Sequence, residues 1–181
     1  LTADIDLGGY GNWTPIGSGP TDGRYPYENP RYAFQGVFDG DGHTVSGLNV
    51  NLAGTTTFTS AGLFGVNDGT IRNLNVSGEV HATTSNASSG YVVAGGIAGF
   101  NIIAYADAMN IRPGSGAIEH CSFSGSVSAS CGPDMAGTAD AGGICGMAES
   151  GNIDYCSVTL GDSDSIVTSG GEASAAGGIA G

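Results

Sequence analysis

The sequence predicts an all-β fold, a parallel β-solenoid of about four coils. Two observations lead to this prediction: a short segment is repeated along the chain, and the interval between its two parts is constant. Segments of this kind stack as successive coils, because one coil cannot bury its apolar side alone. Apolar residues at helical spacing form only a weak pattern, from Ile102 to Met109.

The repeated segment has a glycine-flanked apolar part and a strand-like part. The first part is AGLFG at 61–65, and it returns as GGIAG, GGICG and GGIAG at 95–99, 142–146 and 177–181. The second part is IRNLNVSGEV at 71–80, and it returns as IEHCSFSGSV at 118–127 and more loosely at 153–162. The chain is therefore predicted to contain one structural unit in several copies.

The spacing of the two parts supports stacking. From the isoleucine that opens the strand-like part to the next GG pentamer there are 24 residues each time, counted from Ile71, Ile118 and Ile153. Length differences fall instead between a pentamer and the following isoleucine. Insertions in a solenoid bulge outward, so residues 100–114 are predicted to be a loop added to a regular coil.

The first 35 residues differ from the repeats. Residues 1–7 alternate apolar and polar side chains, as in a short half-buried strand. Residues 8–34 are predicted to be an irregular cap loop, rich in glycine, proline and aromatic rings. Two roles remain open for these rings: they close the end of the solenoid, or they stack on a sugar or a protein partner. The candidate ligand-binding residues are Trp13, Tyr25, Tyr27 and Tyr32.

Residues 36–60 are predicted to form a shorter, degenerate first coil. Val37 and Phe38 fit a strand, and the sequence DGDG that follows fits a tight turn. The pattern from Val45 to Val50 is aligned here with Ile71 to Val76. The repeats proper then occupy 61–181, so the chain is predicted to be one domain and a fragment of a longer polypeptide.

A corner is predicted inside each repeat. Side chains alternate along a strand, so Ile71, Leu74 and Val76 cannot all point inward from one straight strand. The corner falls at Asn73, which tolerates the left-handed conformation, and then at His120 and Tyr155, of which tyrosine suits it less. The residues predicted to point inward are Ile71, Leu74, Val76, Ile97, Ile118, Cys121, Phe123, Ile144, Ile153, Cys156 and Val158.

The charge of the chain argues against several partners. There are 17 acidic residues and four basic ones, with a formal net charge of −13. A nucleic acid or an anionic lipid surface would be repelled, and no apolar run approaches the roughly 18 residues of a membrane span. No nucleic-acid partner and no membrane insertion are expected. An acidic chain rich in glycine, serine and threonine suits an extracellular position on a bacterial cell surface.

No catalytic residue, metal site or cofactor is predicted. Asp39 and Asp41 belong to the DGDG turn, and Val50 stands where an EF-hand would need its closing glutamate. The two carboxylates at equivalent positions, Glu119 and Asp154, are predicted to lie on the outer face of a regular strand. Glycoside hydrolysis needs two carboxylates set across a cleft, so the chain is not expected to be an enzyme.

Cys121 and Cys156 also occupy equivalent positions, three residues after the isoleucine of each repeat. Stacking would bring them about one strand spacing apart, within the range of a disulfide, although parallel neighbours often have poor torsion angles. Buried thiols and a disulfide therefore both remain open. Zinc binding is not predicted, because the four cysteines, which include Cys131 and Cys145, form no CxxC pair.

Four sequence motifs carry a resemblance to a known family. They are GVFDGDGHTVSGL at 36–48, with DIDL and WTPIG upstream at 4–7 and 13–17, and the GG pentamers. In these motifs the chain resembles the GLUG-motif repeats of large bacterial surface and secreted proteins. It is similar in sequence style to filamentous-haemagglutinin-like adhesins and to the non-catalytic part of IgA-cleaving metalloproteases. The resemblance implies a right-handed parallel β-solenoid on an exported protein.

The function predicted from these observations is structural and adhesive. The chain is expected to be a non-catalytic segment of a bacterial cell-surface or secreted protein. Its expected partners are a host glycan or protein, and flanking coils or domains of the same polypeptide. Two alternatives remain open: an accessory module of a larger secreted enzyme, such as a metallopeptidase, or a carbohydrate-active β-helix.

Overall fold

The structure is a computed structural model, and it describes residues 1–18, 25–26, 28, 30–55, 57–84, 90–103, 115–132, 137–171 and 173–181. The described residues are dominated by short strands, with one 3-10 turn at Pro30–Tyr32. Every pairing between two of these strands is parallel. The all-β prediction is confirmed. Within the described residues, no helix has the length and apolarity that crossing a membrane requires.

The strands form four sheets. Sheet 1 contains β2 (Val37–Asp39), β6 (Thr70–Arg72), β10 (Ala117–Glu119) and β14 (Asn152–Asp154). Sheet 2 contains β1 (Ile5–Asp6), β3 (Thr44–Gly54), β7 (Asn75–Thr84), β11 (Ser122–Cys131), β15 (Ser157–Thr159) and β16 (Ile166–Ser169). Sheet 3 contains β4 (Phe58–Ala61), β8 (Tyr91–Gly95), β12 (Thr138–Gly142) and β17 (Ala173–Gly177). Sheet 4 contains β5 (Phe64–Asn67), β9 (Ala98–Ile102) and β13 (Cys145–Glu149).

The chain visits these sheets in a fixed order. It passes through sheets 1, 2, 3 and 4 with β2–β5, and repeats the order with β6–β9 and β10–β13 before β14–β17 return to sheets 1, 2 and 3. We call these groups of strands the first to the fourth strand set. Equivalent residues pair directly, since Ile118 lies between Ile71 and Ile153 in sheet 1. This parallel, in-register arrangement is consistent with a β-solenoid.

The register of the first strand set differs from the predicted alignment. Phe38, and not Val45, is the partner of Ile71, while Val45 pairs with Val76. The DGDG turn makes the connection between β2 and β3 longer than the one between β6 and β7, which shifts the alignment. A bulge between Val45 and Leu48, where Gly47 has a φ of 67°, then restores the pairing. The first strand set extends to β5, which ends at Asn67.

The predicted corners are confirmed. Asn73, His120 and Tyr155 have φ values of 52°, 52° and 53°, in the left-handed region. The backbone ladder continues through the corner, because the Asn73 and His120 amides donate to Glu119 and Asp154 carbonyl oxygens, each at 3.0 Å. Tyrosine adopts the conformation as well as asparagine and histidine do. Its ring is exposed and stacks on His120, with ring centroids 4.8 Å apart.

The main core contains the residues that were predicted to point inward. Eight of these residues are buried: Ile71, Leu74, Val76, Ile97, Ile118, Cys121, Phe123 and Ile144. The other three, Ile153, Cys156 and Val158, pack against the core but are half-buried. They lie in the fourth strand set, whose strands β14 and β15 have a neighbouring strand on one side within the described residues.

A second apolar cluster lies between sheets 3 and 4 and was not predicted. Its buried members are Phe58, Val66, Val93, Phe100 and Ile102, and the half-buried Ala33, Tyr91 and Met147 pack against them. The two sheets meet closely at glycine, because a Cβ on Gly99 would lie 2.6 Å from the backbone nitrogen of Ala61. The predicted loop 100–114 is corrected here: Phe100 and Ile102 end strand β9, and residues 104–114 lie outside the described residues.

Two buried asparagines support the turn from sheet 4 to sheet 1. The Asn67 side-chain amide donates to Asn101 Oδ1 at 2.8 Å, and the Asn101 amide donates to the Gly116 carbonyl at 2.7 Å. Asn67 Oδ1 also accepts the Gly69 amide at 3.1 Å. These bonds satisfy backbone groups that the turn would otherwise leave unpaired in the interior. The column of stacked asparagines ends in the third strand set, where Ala148 pairs with Asn101.

Candidate ligand-binding site

The predicted aromatic residues of the N-terminal segment do not form one surface. Trp13 is half-buried against the main core, and its indole N–H donates to the Leu63 carbonyl at 3.1 Å. Tyr32 is 49% exposed in the 3-10 turn. Tyr27 lies outside the described residues. Trp13 therefore helps to close the core, while Tyr25 takes a different position.

Tyr25 reaches across to sheet 3 and contacts Tyr91 at the mouth of a pocket. The two ring centroids are 5.3 Å apart with an interplanar angle of 74°. The pocket has a volume of about 280 Å³. Its lining residues are Tyr25, Phe58, Tyr91, Phe100, Met147 and Glu149. One predicted site residue thus joins five residues that the sequence did not single out.

Two further ring contacts shape the pocket. Phe58 stacks on Tyr91 with centroids 6.3 Å apart and an angle of 25°, and it meets Phe100 at 5.2 Å and 48°. Phe58 and Phe100 are buried, whereas Tyr25 is exposed and Tyr91 is half-buried. The buried rings therefore form the inner part of the pocket, and the two tyrosines form its edge.

The strand register explains why a pocket forms here. Tyr91 is the register partner of Phe58 on one side and of Thr138 on the other, and Thr138 in turn pairs with Ala173. The side chains of this column thus shrink from ring to methyl group across the four strand sets. In sheet 4, Met147 pairs with Phe100, so the aromatic ring of the second strand set is followed by a flexible, unbranched side chain in the third. Space is left where the large side chains of the second strand set give way to smaller ones.

Among the lining residues that the structure describes, Glu149 supplies the single formal charge. It is half-buried at the end of strand β13, where it pairs with Ile102. Apart from this carboxylate, the polar side-chain groups of the lining are the hydroxyls of Tyr25 and Tyr91. The pocket therefore combines an aromatic wall with one anionic group.

The carboxylates of the DGDG turn are used structurally. Asp39 accepts hydrogen bonds from the Asn73 amide at 3.1 Å, the Asp41 backbone amide at 3.0 Å and Arg72 Nε at 2.9 Å. The Asn73 bond is the largest influence and, with the others, lowers the pKa of Asp39 to about 2. His43 Nδ1 lies 3.0 Å from Asp4 Oδ1. Among the described residues, no group of three or more His, Cys, Asp or Glu side chains could hold a metal ion.

The two carboxylates weighed for catalysis are direct register neighbours. Glu119 pairs with Asp154 on β14 and with Arg72 on β6. Glu119 is half-buried and Asp154 is exposed, on the side of sheet 1 that faces away from Ile118 in the core. Neither residue lines the aromatic pocket. The pair and the pocket are separate features of the molecule.

Cys121 and Cys156 are stacked as expected and are free thiols in this structure. A hydrogen bond between the two thiols raises the pKa of Cys121, which is also buried, and lowers the pKa of Cys156 to about 7. Cys156 is half-buried and therefore the more accessible of the pair. Burial also raises the pKa of Cys145 to about 12 and raises the pKa of Cys131.

Comparisons with known proteins give no information on the function. No protein family, no curated protein and no solved structure matches this chain. The resemblance to GLUG-motif repeats rests on the quoted motifs alone.

The pocket residues could have been suspected from one signal in the sequence. From Tyr91 to Ile103 the chain reads YVVAGGIAGFNII, an almost uninterrupted apolar run. Alternation with polar residues is typical of a strand with one buried face, and its absence predicts burial on both faces. The run therefore indicates a second packed surface beside the main core.

Proposed function

We propose that the chain is a right-handed parallel β-solenoid of about four coils that serves as a non-catalytic, structural and adhesive segment of a bacterial surface or secreted protein. The observation that carries this proposal is the aromatic pocket, which is held by rings on in-register parallel strands. A stiff frame combined with an open recognition site suits a protein that must present a binding surface away from its attachment point.

The frame is supported by the register of the strands. Ile118, Val127 and Ala141 are buried in sheets 1, 2 and 3, and each has a register partner on both sides. Buried apolar contacts and paired backbone groups make local opening costly. The inner strand sets are therefore expected to behave as one rigid support.

The pocket supports binding better than catalysis. Ligand sites are concave, mostly apolar and equipped with a few polar groups, and this lining has that composition. Hydrolysis of a glycosidic bond requires two carboxylates, whereas the described part of the lining contributes one, Glu149. We therefore assign the pocket an adhesive role toward a host glycan or protein.

An extracellular position is part of the proposal. The net charge of −13 disfavours contact with nucleic acids and anionic membranes, and it favours solubility outside the cell. The resemblance to GLUG-motif repeats points in the same direction. Flanking coils of the same polypeptide would cover the half-buried apolar residues of the fourth strand set, such as Ile153 and Val158.

The adhesive role is tested with glycan and host-protein arrays. The unaltered chain, Tyr91→Ala and Tyr10→Ala are compared under the same conditions. Tyr91 lines the pocket, whereas Tyr10 is 76% exposed on the N-terminal segment and serves as a matched tyrosine control. We expect binding by the unaltered chain and by Tyr10→Ala, and loss of binding in Tyr91→Ala. Equal binding by all three proteins, or binding by none, would contradict adhesion through this pocket.

A further inference from the structure

The lining of the pocket has the chemistry that recognises organic cations. The face of an aromatic ring carries partial negative charge, so a cation near it is attracted, and this attraction strengthens when the cation is desolvated. Four of the six lining residues that the structure describes carry rings, and a fifth, Met147, has a polarizable thioether. The sixth, Glu149, is the only formally charged one among the described lining residues, and its charge is negative.

The rings border the pocket in more than one plane. Tyr25 stands nearly perpendicular to Tyr91, at 74°, while Phe58 lies within 25° of the Tyr91 plane. Phe100 is tilted by 48° from Phe58. A cation that enters such a pocket approaches several rings at once, as it does in the aromatic cages that bind quaternary ammonium groups.

The size of the pocket limits the ligand to a small group. Drug-sized ligands occupy pockets of roughly 300–1,000 Å³. The volume of about 280 Å³ lies just below that range. One compact group, or the end of a longer molecule, is therefore the fitting occupant.

Hydrogen-bonding capacity separates the candidate groups. A sugar ring brings several hydroxyls, and each one that is desolvated without a partner carries a large energetic penalty. The lining offers two phenol hydroxyls and one carboxylate, while Phe58, Phe100 and Met147 provide no strong hydrogen-bonding group. A primary ammonium has three N–H donors to satisfy. A quaternary ammonium has none, and its methyl groups suit an aromatic wall.

We propose that this pocket binds a quaternary ammonium group of the choline type. The inference rests on the adhesive function proposed above and specifies which chemical group of a host ligand, in place of a sugar ring, enters the pocket. Glu149 would attract the positive charge, and the rings of Tyr25, Phe58 and Tyr91 would contact the methyl groups. The overall negative charge of the chain adds a long-range attraction for the same ligand.

The proposal is tested by titrating the chain with choline and with its neutral carbon isostere, 3,3-dimethyl-1-butanol. The two molecules share shape and hydroxyl group and differ in charge. We expect choline to bind at least about tenfold more tightly, because cation–π attraction in a desolvated site and the Glu149 charge act on choline alone. Equal affinity for both molecules would overturn the proposal, since it would show apolar filling only.

Four variants locate the binding. Tyr91→Ala is expected to weaken choline binding by about tenfold or more, and Tyr91→Phe by less than about threefold, because the ring face is retained. Glu149→Gln is expected to weaken binding by about threefold to tenfold through the loss of charge. Tyr10→Ala is the control and should bind as the unaltered chain does. Circular dichroism of each variant separates a lost site from a lost fold.

The array experiment and the titration fail in distinguishable ways. If glycans bind through Tyr91 but choline does not, the adhesive function stands and the choline proposal is overturned. If choline binding survives Tyr91→Ala, the pocket is not its site and the proposal is likewise overturned. Phosphatidylcholine vesicles provide a second arm: vesicle binding that free choline displaces indicates a lipid headgroup as the source, and binding of free choline alone indicates a soluble ligand.

Discussion

The two apolar clusters of this protein differ in how far their residues repeat. In the main core, one column changes once, from Phe38 to Ile71, and then keeps isoleucine at Ile118 and Ile153. In the second cluster, the equivalent column of sheet 3 changes from Phe58 through Tyr91 and Thr138 to Ala173. From the second strand set onward the core column preserves side-chain size, and the pocket column does not.

The difference has a physical cause. An inner core residue is packed by its own column on both sides and by the facing sheet, so a change of size creates a cavity or a clash. The pocket column has one side toward solvent at Tyr91 and Thr138, which are both half-buried. Side chains in the pocket column can vary without disturbing the packing of the stacked strands. A binding site can therefore form at this column.

The largest expected effect is a difference in stability between variants of the core column and of the pocket column. Ile118→Ala should lower the free energy of unfolding by about 2–5 kcal/mol, because it leaves a cavity at a fully buried position. Tyr91→Ala should lower it by about 1 kcal/mol, because it enlarges an open pocket and removes a half-buried ring. Urea unfolding followed by circular dichroism measures both. Equal losses would abolish the distinction between core column and pocket column.

A second test concerns the outer column that contains Asp39 and Arg72. The pKa of Asp39 is lowered from 3.8 to about 2 in the folded chain, chiefly by the Asn73 hydrogen bond. The carboxylate therefore contributes stability above pH 3.8 that is lost as the pH falls toward 2. Asp39→Asn should melt a few degrees lower than the unaltered chain at pH 6, and the difference should vanish near pH 2.

The melting temperatures are measured from pH 6 to pH 2, with Asp162→Asn as a control for the loss of one exposed negative charge. A difference between Asp39→Asn and the unaltered chain that stays constant across this range would contradict the structural role of the Asp39 hydrogen bonds. Such a result would also weaken the view that outer columns are held by specific polar contacts.

The smallest expected effect is a difference in reactivity between the thiols of the main core. Cys156 should react with iodoacetamide with a half-maximal rate near pH 7, because the Cys121 thiol stabilises its thiolate. Cys145 should stay unreactive, because it is buried and its pKa is raised to about 12. Cys121→Ala should slow the alkylation of Cys156 at pH 7. Peptide mass spectrometry measures each rate. If Cys156 reacts only after a reductant is added, it forms a disulfide with Cys121 instead.

Much of the stack could be predicted from the sequence, and the corner residues show why. A residue that repeats at a constant interval in parallel strands pairs with its own copy, so Ile71, Ile118 and Ile153 identify the register. Side-chain alternation then required a corner at Asn73. Tyr155 adopts the same corner conformation, because the strand before it, β14, pairs in register with β10. This pairing outweighs the weaker preference of tyrosine for a positive φ.

The errors in prediction occur where the repeat is interrupted or where two sheets meet. Val45 was aligned with Ile71 because a longer turn follows β2, and turn length is invisible to a pattern of apolar residues. The extra length between the pentamer at 95–99 and Ile118 predicts a loop that begins at Phe100, whereas Phe100 and Ile102 belong to strand β9. Asn101 was overlooked, since a buried asparagine is recognised only by the backbone groups that it satisfies.

The sequence by itself determined the columns, because a constant interval between copies forces like residues into register in parallel strands. Only the tertiary structure decided which different columns lie beside each other. The packing of sheet 4 on the far face of sheet 3, close to Gly99, encloses Phe58 and Phe100, and the N-terminal segment brings Tyr25 to Tyr91. Contacts between unlike columns depend on the path of the whole chain, and a repeat period carries no information about that path.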